Sequence, residues 1–143
     1  AGDFERWSAG PYEIFCGDIF DLDQLDNSDV TAVYDRASLV ALNPVQRMAY
    51  AQMLKQVLPE KCPMLLVAMD YSQEEMSGPP YSVAETEVRG LYESNFRVEM
   101  LQTLDLLNES QRYQERGLTR IFEQIYRLSP HFSSFATGRV ERA

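Results

Sequence analysis

Two adjacent charged residues, Asp35 and Arg36, are the best placed in this 143-residue sequence to do chemistry. They follow the apolar pair Val33 and Tyr34, a pattern that predicts a buried strand ending in charges. In open α/β sheets, ligands bind just outside the carboxyl ends of the strands, and burying an unpaired charge is costly. The rigid fork of donors on an arginine can orient an anionic or carbonyl-bearing ligand there. We therefore predict that both residues face solvent or a ligand.

Structural roles for these residues are the alternatives. Arg36 could form a salt bridge with a neighbouring carboxylate, Asp35 included, and Asp35 could instead cap the following turn. A second apolar run, at residues 64–69, leads into another acid, Asp70, and lacks the alternation of a half-exposed strand. That run predicts a strand covered on both faces. Asp70 could cap a helix, accept a hydrogen bond or take part in catalysis.

Several classes of chemistry are excluded. His131 is the only histidine, which rules out a Ser-His-Asp or Cys-His arrangement and a histidine-based metal site. The acidic run at residues 18–29 lacks the glycine and the terminal glutamate of a calcium-binding loop, so no metal site is predicted. The glycines form neither a G-x-G-x-x-G motif nor a phosphate loop.

Composition and charge restrict the partners. With 45% hydrophobic and 24% charged residues, the chain is typical of a globular domain. A formal net charge of −9 without a Lys/Arg cluster argues against binding to nucleic acid or to an anionic membrane. No apolar run approaches the roughly 20 residues of a membrane helix. Cys16 and Cys62 lie beside or within apolar strand sequence, so we predict buried, reduced thiols and a cytoplasmic protein.

Strands and helices are predicted to alternate. Strands are predicted at Tyr12–Phe15 and Val30–Tyr34, and Asn43 is predicted to cap a helix that begins at Pro44 and ends before Pro59. The apolar residues recurring at helical spacing in that helix are Val45, Met48, Ala49, Met53 and Val57.

The second half is predicted to contain one helix and a hairpin. After the strand at Met64–Met69, a capping box of Ser82 and Glu85 predicts a helix that reaches about Tyr92. Extended runs at residues 96–106 and 118–128 flank the polar segment 107–117, which predicts an antiparallel hairpin with a long loop.

Four short motifs in this order resemble one known family. They are YDR at residues 34–36, DY at 70–71, GPP at 78–80 and FEQIYRL at 122–128, and the turn CGDIFDL at 16–22 agrees with them. Together they resemble the thiopurine S-methyltransferase family over about residues 10–128. The resemblance implies an α/β fold: a partial Rossmann-like class I methyltransferase sheet with flanking helices and a carboxyl-terminal antiparallel hairpin.

The resemblance also implies a function and a site. It implies an enzyme that uses S-adenosylmethionine as cofactor to methylate a small thiol of the thiopurine type. Ile19 and Phe20 would flank the adenine of the cofactor, although they could equally belong to the core. The implied roles of the other residues are a place beside cofactor and substrate for Arg36, an apolar substrate wall for Pro79 and Pro80, and a place at the substrate mouth for Arg112. No residue is predicted to act as a catalytic acid or base.

The family's amino-terminal portion, with its first strand and glycine-bearing cofactor loop, has no counterpart in this sequence. Residues 1–128 are thus predicted to form a partial methyltransferase domain, with residues 129–143 as an unmatched, flexible tail. The missing strand would lie between the strands that begin at Tyr12 and Val30. Its absence leaves open strand edges, so we expect a homo-oligomer. The alternative function is a catalytically inactive, self-associating α/β module from a truncated or recombined gene.

Overall fold

The computed structural model describes residues 3–131. The predicted tail beyond residue 131 lies outside the described residues. The elements in chain order are β1 (Glu5–Ala9), β2 (Tyr12–Cys16), β3 (Val33–Arg36), α1 (Pro44–Val57), β4 (Met64–Tyr71), α2 (Glu85–Tyr92), β5 (Phe96–Asp105), α3 (Leu106–Glu109), α4 (Gln111–Glu115) and β6 (Ile121–Pro130). Short 3₁₀ segments, Ile19–Gln24 and Leu39–Ala41, precede β3 and α1.

The strands form two sheets. β1 and β2 make a separate antiparallel hairpin, while the other four strands form a sheet in the order β3-β4-β6-β5. β3 is parallel to β4, and β6 runs antiparallel to both of its neighbours. This mixed sheet with its helices confirms the predicted α/β class and the carboxyl-terminal hairpin. β6 continues past the predicted end at residue 128, because Ser129 and Pro130 pair with Arg97 and Phe96.

The helix α1 confirms the predicted bounds but not the predicted apolar face. Asn43 accepts a hydrogen bond from the Gln46 backbone N–H at 3.0 Å, and the Gln46 side chain accepts one from the Asn43 backbone, forming a capping box. The predicted core residues Val45 and Met48 are 77% and 67% exposed. The buried positions are Arg47, Tyr50, Ala51 and Leu54. The side of α1 that is buried is determined by packing against the sheet and α2, because the apolar periodicity of the helix is too weak to determine it.

The predicted capping box of α2 is wrong. Ala84, not Ser82, stands at the N-cap position of α2, and no side chain caps the helix there. The Ser82 hydroxyl instead accepts a hydrogen bond from the Tyr71 backbone N–H at 3.0 Å. Because that bond ties Ser82 to the end of β4, the chain stays extended until Ala84.

The main core lies on the sheet face that α1 and α2 cover. Alternate strand side chains, Met64, Leu66, Tyr126 and Leu128 among them, meet helix side chains there, including Leu54, Val88 and Tyr92. The opposite face is only partly covered, and Tyr34 and Leu65 are 62% and 39% exposed on it. The predictions of a buried β3 and of a β4 covered on both faces were therefore wrong in part, because β3 is an edge strand and its outer face has no helix in the described residues.

Two other expectations are corrected. The segment predicted as a long loop between the last two strands forms α3 and α4, and Asp105 caps α3 by accepting a hydrogen bond from the Leu107 N–H at 3.0 Å. Cys62 is buried as predicted, but Cys16 is exposed, as are all the other residues of β2. Both cysteines are free thiols. No helix within residues 3–131 is long and apolar enough to cross a membrane.

Candidate functional site

A cavity of about 680 Å³ opens at the carboxyl-terminal ends of the parallel strands β3 and β4. This volume suits a small organic ligand. The lining residues come from both strands, from the segments that follow them and from the carboxyl-terminal hairpin: Arg36, Ala37, Val40, Ala41, Val67, Met69, Pro79, Pro80, Leu104, Leu106, Glu109, Tyr113 and Glu123. The walls are thus mainly apolar, with one guanidinium and two carboxylates among them.

The floor of the cavity is formed by side chains that the strand register places side by side on β4, β5 and β6. Glu123 on β6 lies opposite Met69 on β4 and also opposite Leu104 on β5, so the three side chains share one face of the sheet. Val67, two residues before Met69, lies on the same face. This is the face opposite α1 and α2, and residues of α3 and α4 complete the cavity on it.

Arg36 lies at the rim with its guanidinium close to a carboxylate. Its Nη2 is 3.5 Å from Glu123 Oε2, and the Arg36 and Glu123 side chains are 60% and 16% exposed. A contact with Tyr34 and the charge of Glu123 both raise the pKa of Arg36, so the guanidinium is always charged. Ala37 follows with φ of 68°, a left-handed conformation that turns the chain sharply after the strand. Arg36 therefore faces the cavity, as predicted.

Asp35 does not face the cavity, which corrects the prediction made for it. It is only 2% exposed and accepts hydrogen bonds from the Leu39 N–H at 3.3 Å and the Tyr50 hydroxyl at 2.9 Å. Burial raises its pKa, and these two hydrogen bonds oppose that rise. Because neighbouring strand residues point to opposite faces, Asp35 is directed toward α1 while Arg36 is directed away from it. Asp35 caps the turn after β3, and the salt bridge of Arg36 is with Glu123.

Pro79 and Pro80 form a ledge in the wall of the cavity. Gly78 precedes them with φ of 77°, and a Cβ atom at that position would lie 2.8 Å from the Tyr81 ring. The peptide bonds on the amino side of both prolines are cis. The Tyr71 hydroxyl donates a hydrogen bond to the Pro80 carbonyl at 2.6 Å. The ledge is thereby tied to the end of β4, which fixes its distance from the cavity floor.

The structure brings three of the predicted site residues together and separates three others. Arg36, Pro79 and Pro80 line the one cavity, whereas Ile19, Phe20 and Arg112 do not line it. Ile19 and Phe20 lie in the 3₁₀ segment after β2, where Phe20 packs against the main core. Arg112 is exposed on α4, with its guanidinium carbon 6.0 Å from the centre of the Tyr113 ring. The roles assigned to these six residues stay predictions.

Three polar residues of the cavity were not predicted as site residues from the sequence, namely Glu109, Tyr113 and Glu123. A signal existed for Glu123, because a carboxylate inside the apolar strand sequence IFEQIYRL must find a partner or a cavity. Glu109 and Tyr113 carried no comparable signal. They lie in the polar segment that was predicted as a loop, and only its folding into α3 and α4 places them at the cavity.

The chemical character of the cavity favours positioning. Its lining residues include no cysteine, histidine, lysine or serine, and no Ser-His or Cys-His pair is therefore present in this cavity. Within residues 3–131 no group of three or more histidine, cysteine or acidic side chains could hold a metal ion. Arg36 can donate to an electronegative ligand atom, Pro79 and Pro80 can contact a flat ring, and the carboxylates can attract a cation. These features fit part of a sulfonium cofactor and a planar substrate.

Comparisons with known proteins agree with this arrangement. A family model described as thiopurine S-methyltransferase (TPMT) matches residues 1–131. The chain is 45% identical over 127 residues to a thiopurine S-methyltransferase of Pseudomonas fluorescens, which covers 89% of this chain and 58% of that protein. It is 45% identical over 125 residues to that of Nitrosospira multiformis, covering 87% and 57%. The chain thus spans less than two thirds of the length of these relatives.

A solved structure shares the fold. An arsenic(III) S-adenosylmethionine methyltransferase from Chlamydomonas reinhardtii superimposes with a TM-score of 0.54 at 18% identity. The superposition covers 79% of this chain and 42% of that one. At this identity the similarity concerns the fold alone.

Proposed function

Because the chain belongs to the thiopurine S-methyltransferase family, we propose that it forms the substrate side of an S-adenosylmethionine-dependent methyltransferase acting on small aromatic thiols. The substrate is proposed to lie in the cavity between Arg36 and the ledge of Pro79 and Pro80. Chalcogen oxyanions are a second class of acceptor that a guanidinium could bind. We propose aromatic thiols because the walls around that guanidinium are mainly apolar.

One observation supports this proposal above the others. Arg36, Pro79 and Pro80 come from two different segments, yet they line one cavity at the carboxyl ends of adjacent parallel strands. Ligands of open α/β sheets bind at this place. An apolar ledge and a guanidinium donor in the same cavity suit a planar ring that carries an electronegative atom.

The chemistry asks little of the side chains beyond positioning. S-Adenosylmethionine, when bound, supplies an electrophilic methyl group on a sulfonium. An aromatic thiol is largely ionised near neutral pH, so no strong general base is needed. The cavity walls can hold the ring so that its sulfur is aligned for in-line attack, and such alignment supplies much of the rate. In such an attack the thiolate would gain the methyl group and become a methyl thioether, and S-adenosylhomocysteine would leave with the electron pair of the broken methyl–sulfonium bond.

Two separate parts of this chain are proposed to contact the cofactor. Glu109 and Glu123 bring negative charge to the cavity and could attract the sulfonium, and Arg36 lies beside Glu123. Ile19 and Phe20, which the family resemblance assigns to the adenine, lie outside this cavity. We propose that the adenine of the cofactor would bind at the 3₁₀ segment Ile19–Gln24 and that its sulfonium end would lie at the cavity.

A calorimetric titration of S-adenosylhomocysteine into the 143-residue chain tests this function. We expect saturable binding, since the product form of the cofactor has the same adenosyl group. In parallel, the chain with S-adenosylmethionine and thiophenol should release methyl phenyl sulfide, measured by chromatography. A folded chain that neither binds the nucleoside nor forms the thioether would contradict the proposal.

We also propose that the chain associates with itself and acts in the cytoplasm. Within residues 3–131, β3 lies at an edge of the four-stranded sheet, and an edge strand offers backbone groups that can pair with a strand of another chain. The free thiols of Cys16 and Cys62 suit a reducing compartment, and the net charge of −9 disfavours nucleic acid and anionic membranes as partners. Light scattering at micromolar concentration should give the mass of a dimer or larger assembly. A monomeric mass would contradict self-association.

A further inference from the structure

We propose that Glu123 is a specificity-determining residue of the cavity, because its carboxylate competes with anionic groups of the ligand for the Arg36 guanidinium. The proposal rests on the proposed function in one respect, namely that the ligand is an aromatic thiol or its thioether product. The proposal adds Glu123 to the residues proposed for the site and predicts which ligands the cavity will prefer. A ligand without negative charge should be indifferent to Glu123, whereas a ligand that carries a carboxylate should be opposed by it.

The geometry of the pair carries the argument. Glu123 reaches Arg36 across β4, because β6 and β3 are the two neighbours of that strand. The distance of 3.5 Å between Arg36 Nη2 and Glu123 Oε2 is at the long end for a hydrogen bond. With the Arg36 side chain 60% exposed, the pair is accessible and weak enough for a ligand to replace one partner.

The difference in exposure decides which partner the ligand meets first. The Glu123 side chain is only 16% exposed and is held on the sheet floor, whereas the longer Arg36 side chain extends into the opening. An incoming carboxylate could form a bidentate pair with the guanidinium, the geometry for which arginine is best suited. Glu123 then becomes a carboxylate facing a carboxylate. Binding the ligand carboxylate thus costs the ion pair between Arg36 and Glu123, and this loss is the origin of the selectivity.

The other cavity carboxylate provides a matched control. Glu109 on α3 lines the same cavity but is not an ion-pair partner of Arg36. Glu109→Gln and Glu123→Gln remove the same formal charge from the cavity, yet only the second releases Arg36. A selectivity effect that comes from the ion pair will therefore distinguish the two variants.

The test measures binding without cofactor, so that it does not depend on methyl transfer. The probes are thioanisole and 4-(methylthio)benzoate, two unreactive thioethers that differ only in one carboxylate. Their dissociation constants for the full chain are measured by ¹H–¹⁵N NMR titration. Glu123→Gln is expected to bind 4-(methylthio)benzoate about 5-fold more tightly than the wild type, while thioanisole affinity changes by less than about 2-fold. Glu109→Gln should change the affinity for the carboxylate by less than about 3-fold.

A double variant shows whether the effect passes through Arg36. In an Arg36→Ala background, adding Glu123→Gln should leave the affinity for 4-(methylthio)benzoate unchanged, because the competed group is gone. The backbone NMR spectra of all variants report whether the sheet is intact. Should Glu123→Gln fail to fold, Glu123→Asp withdraws the carboxylate by one methylene and is expected to show a smaller gain in the same direction.

Each outcome decides the proposal. Equal gains for Glu109→Gln and Glu123→Gln would overturn it in favour of a general charge effect, and so would a gain that persists without Arg36. Failure of both probes to bind any variant would also overturn it. The selectivity shift without methyl transfer would contradict only the proposed function, and methyl transfer without the shift would contradict only the role of Glu123.

Discussion

Replacing Arg36 by alanine is expected to lower kcat/KM for methyl transfer to thiophenol by about 100-fold, the usual effect of removing one fixed donor from a site that works by positioning. The guanidinium is the only cationic group among the lining residues of the described cavity, so no neighbour can replace it. Its side chain is 60% exposed, its ion pair with Glu123 is long at 3.5 Å, and the buried neighbour Asp35 is held by other groups. The thermal unfolding midpoint should therefore change little.

Steady-state kinetics with the thiol varied at saturating cofactor provides the measurement. Arg127→Ala is the matched control, since Arg127 is an exposed arginine on β6 that pairs with Glu99 outside the cavity. We expect Arg127→Ala to keep wild-type kinetics. If Arg36→Ala retains more than about a third of the wild-type kcat/KM, the guanidinium does not position the substrate.

Replacing Arg47 by alanine is expected to lower the free energy of unfolding by about 3 kcal/mol, because it breaks a buried ion pair from one side. Arg47 is 3% exposed and donates to both carboxylate oxygens of Glu87, at 2.7 and 3.0 Å. A further hydrogen bond of 2.7 Å reaches the Leu42 carbonyl. Alanine would leave Glu87 and that carbonyl without their partner. The value is at the lower end of the usual range because the Glu87 side chain remains 33% exposed.

Urea unfolding followed by circular dichroism gives this free energy. Arg127→Ala removes an arginine that is 56% exposed, so a loss below about 1 kcal/mol is expected for it. A loss for Arg47→Ala no larger than that of Arg127→Ala would show that the buried pair does not stabilise the fold. Arg47 on α1 binds Glu87 on α2 and the carbonyl of Leu42, which follows the cavity residues Val40 and Ala41. Its loss should therefore also loosen this wall of the cavity.

Elements with strong local signals could be predicted from the sequence. Asn43 followed by Pro44 predicted the start of α1, because a cap and a preset φ act within a few residues. The carboxyl-terminal hairpin could also be predicted, because its two long extended runs are close in the chain and pair as predicted. The weaker signal of Ser82 failed, because Ser82 gained a tertiary partner in the backbone of Tyr71. Local propensity decides only where no tertiary contact competes with it.

By itself, the sequence determined the α/β class, the family, and the grouping of Arg36, Pro79 and Pro80 near strand ends. Only the tertiary structure decided what surrounds them. Strand order places β6 beside β4 and so brings Glu123 to Arg36, although the two residues are far apart in the chain. Strand pairing and helix rotation also decided that Asp35 and Arg47 are buried while Val45 is exposed. These outcomes depend on contacts between distant segments, and such contacts leave no periodic or local pattern in the sequence from which they could be predicted.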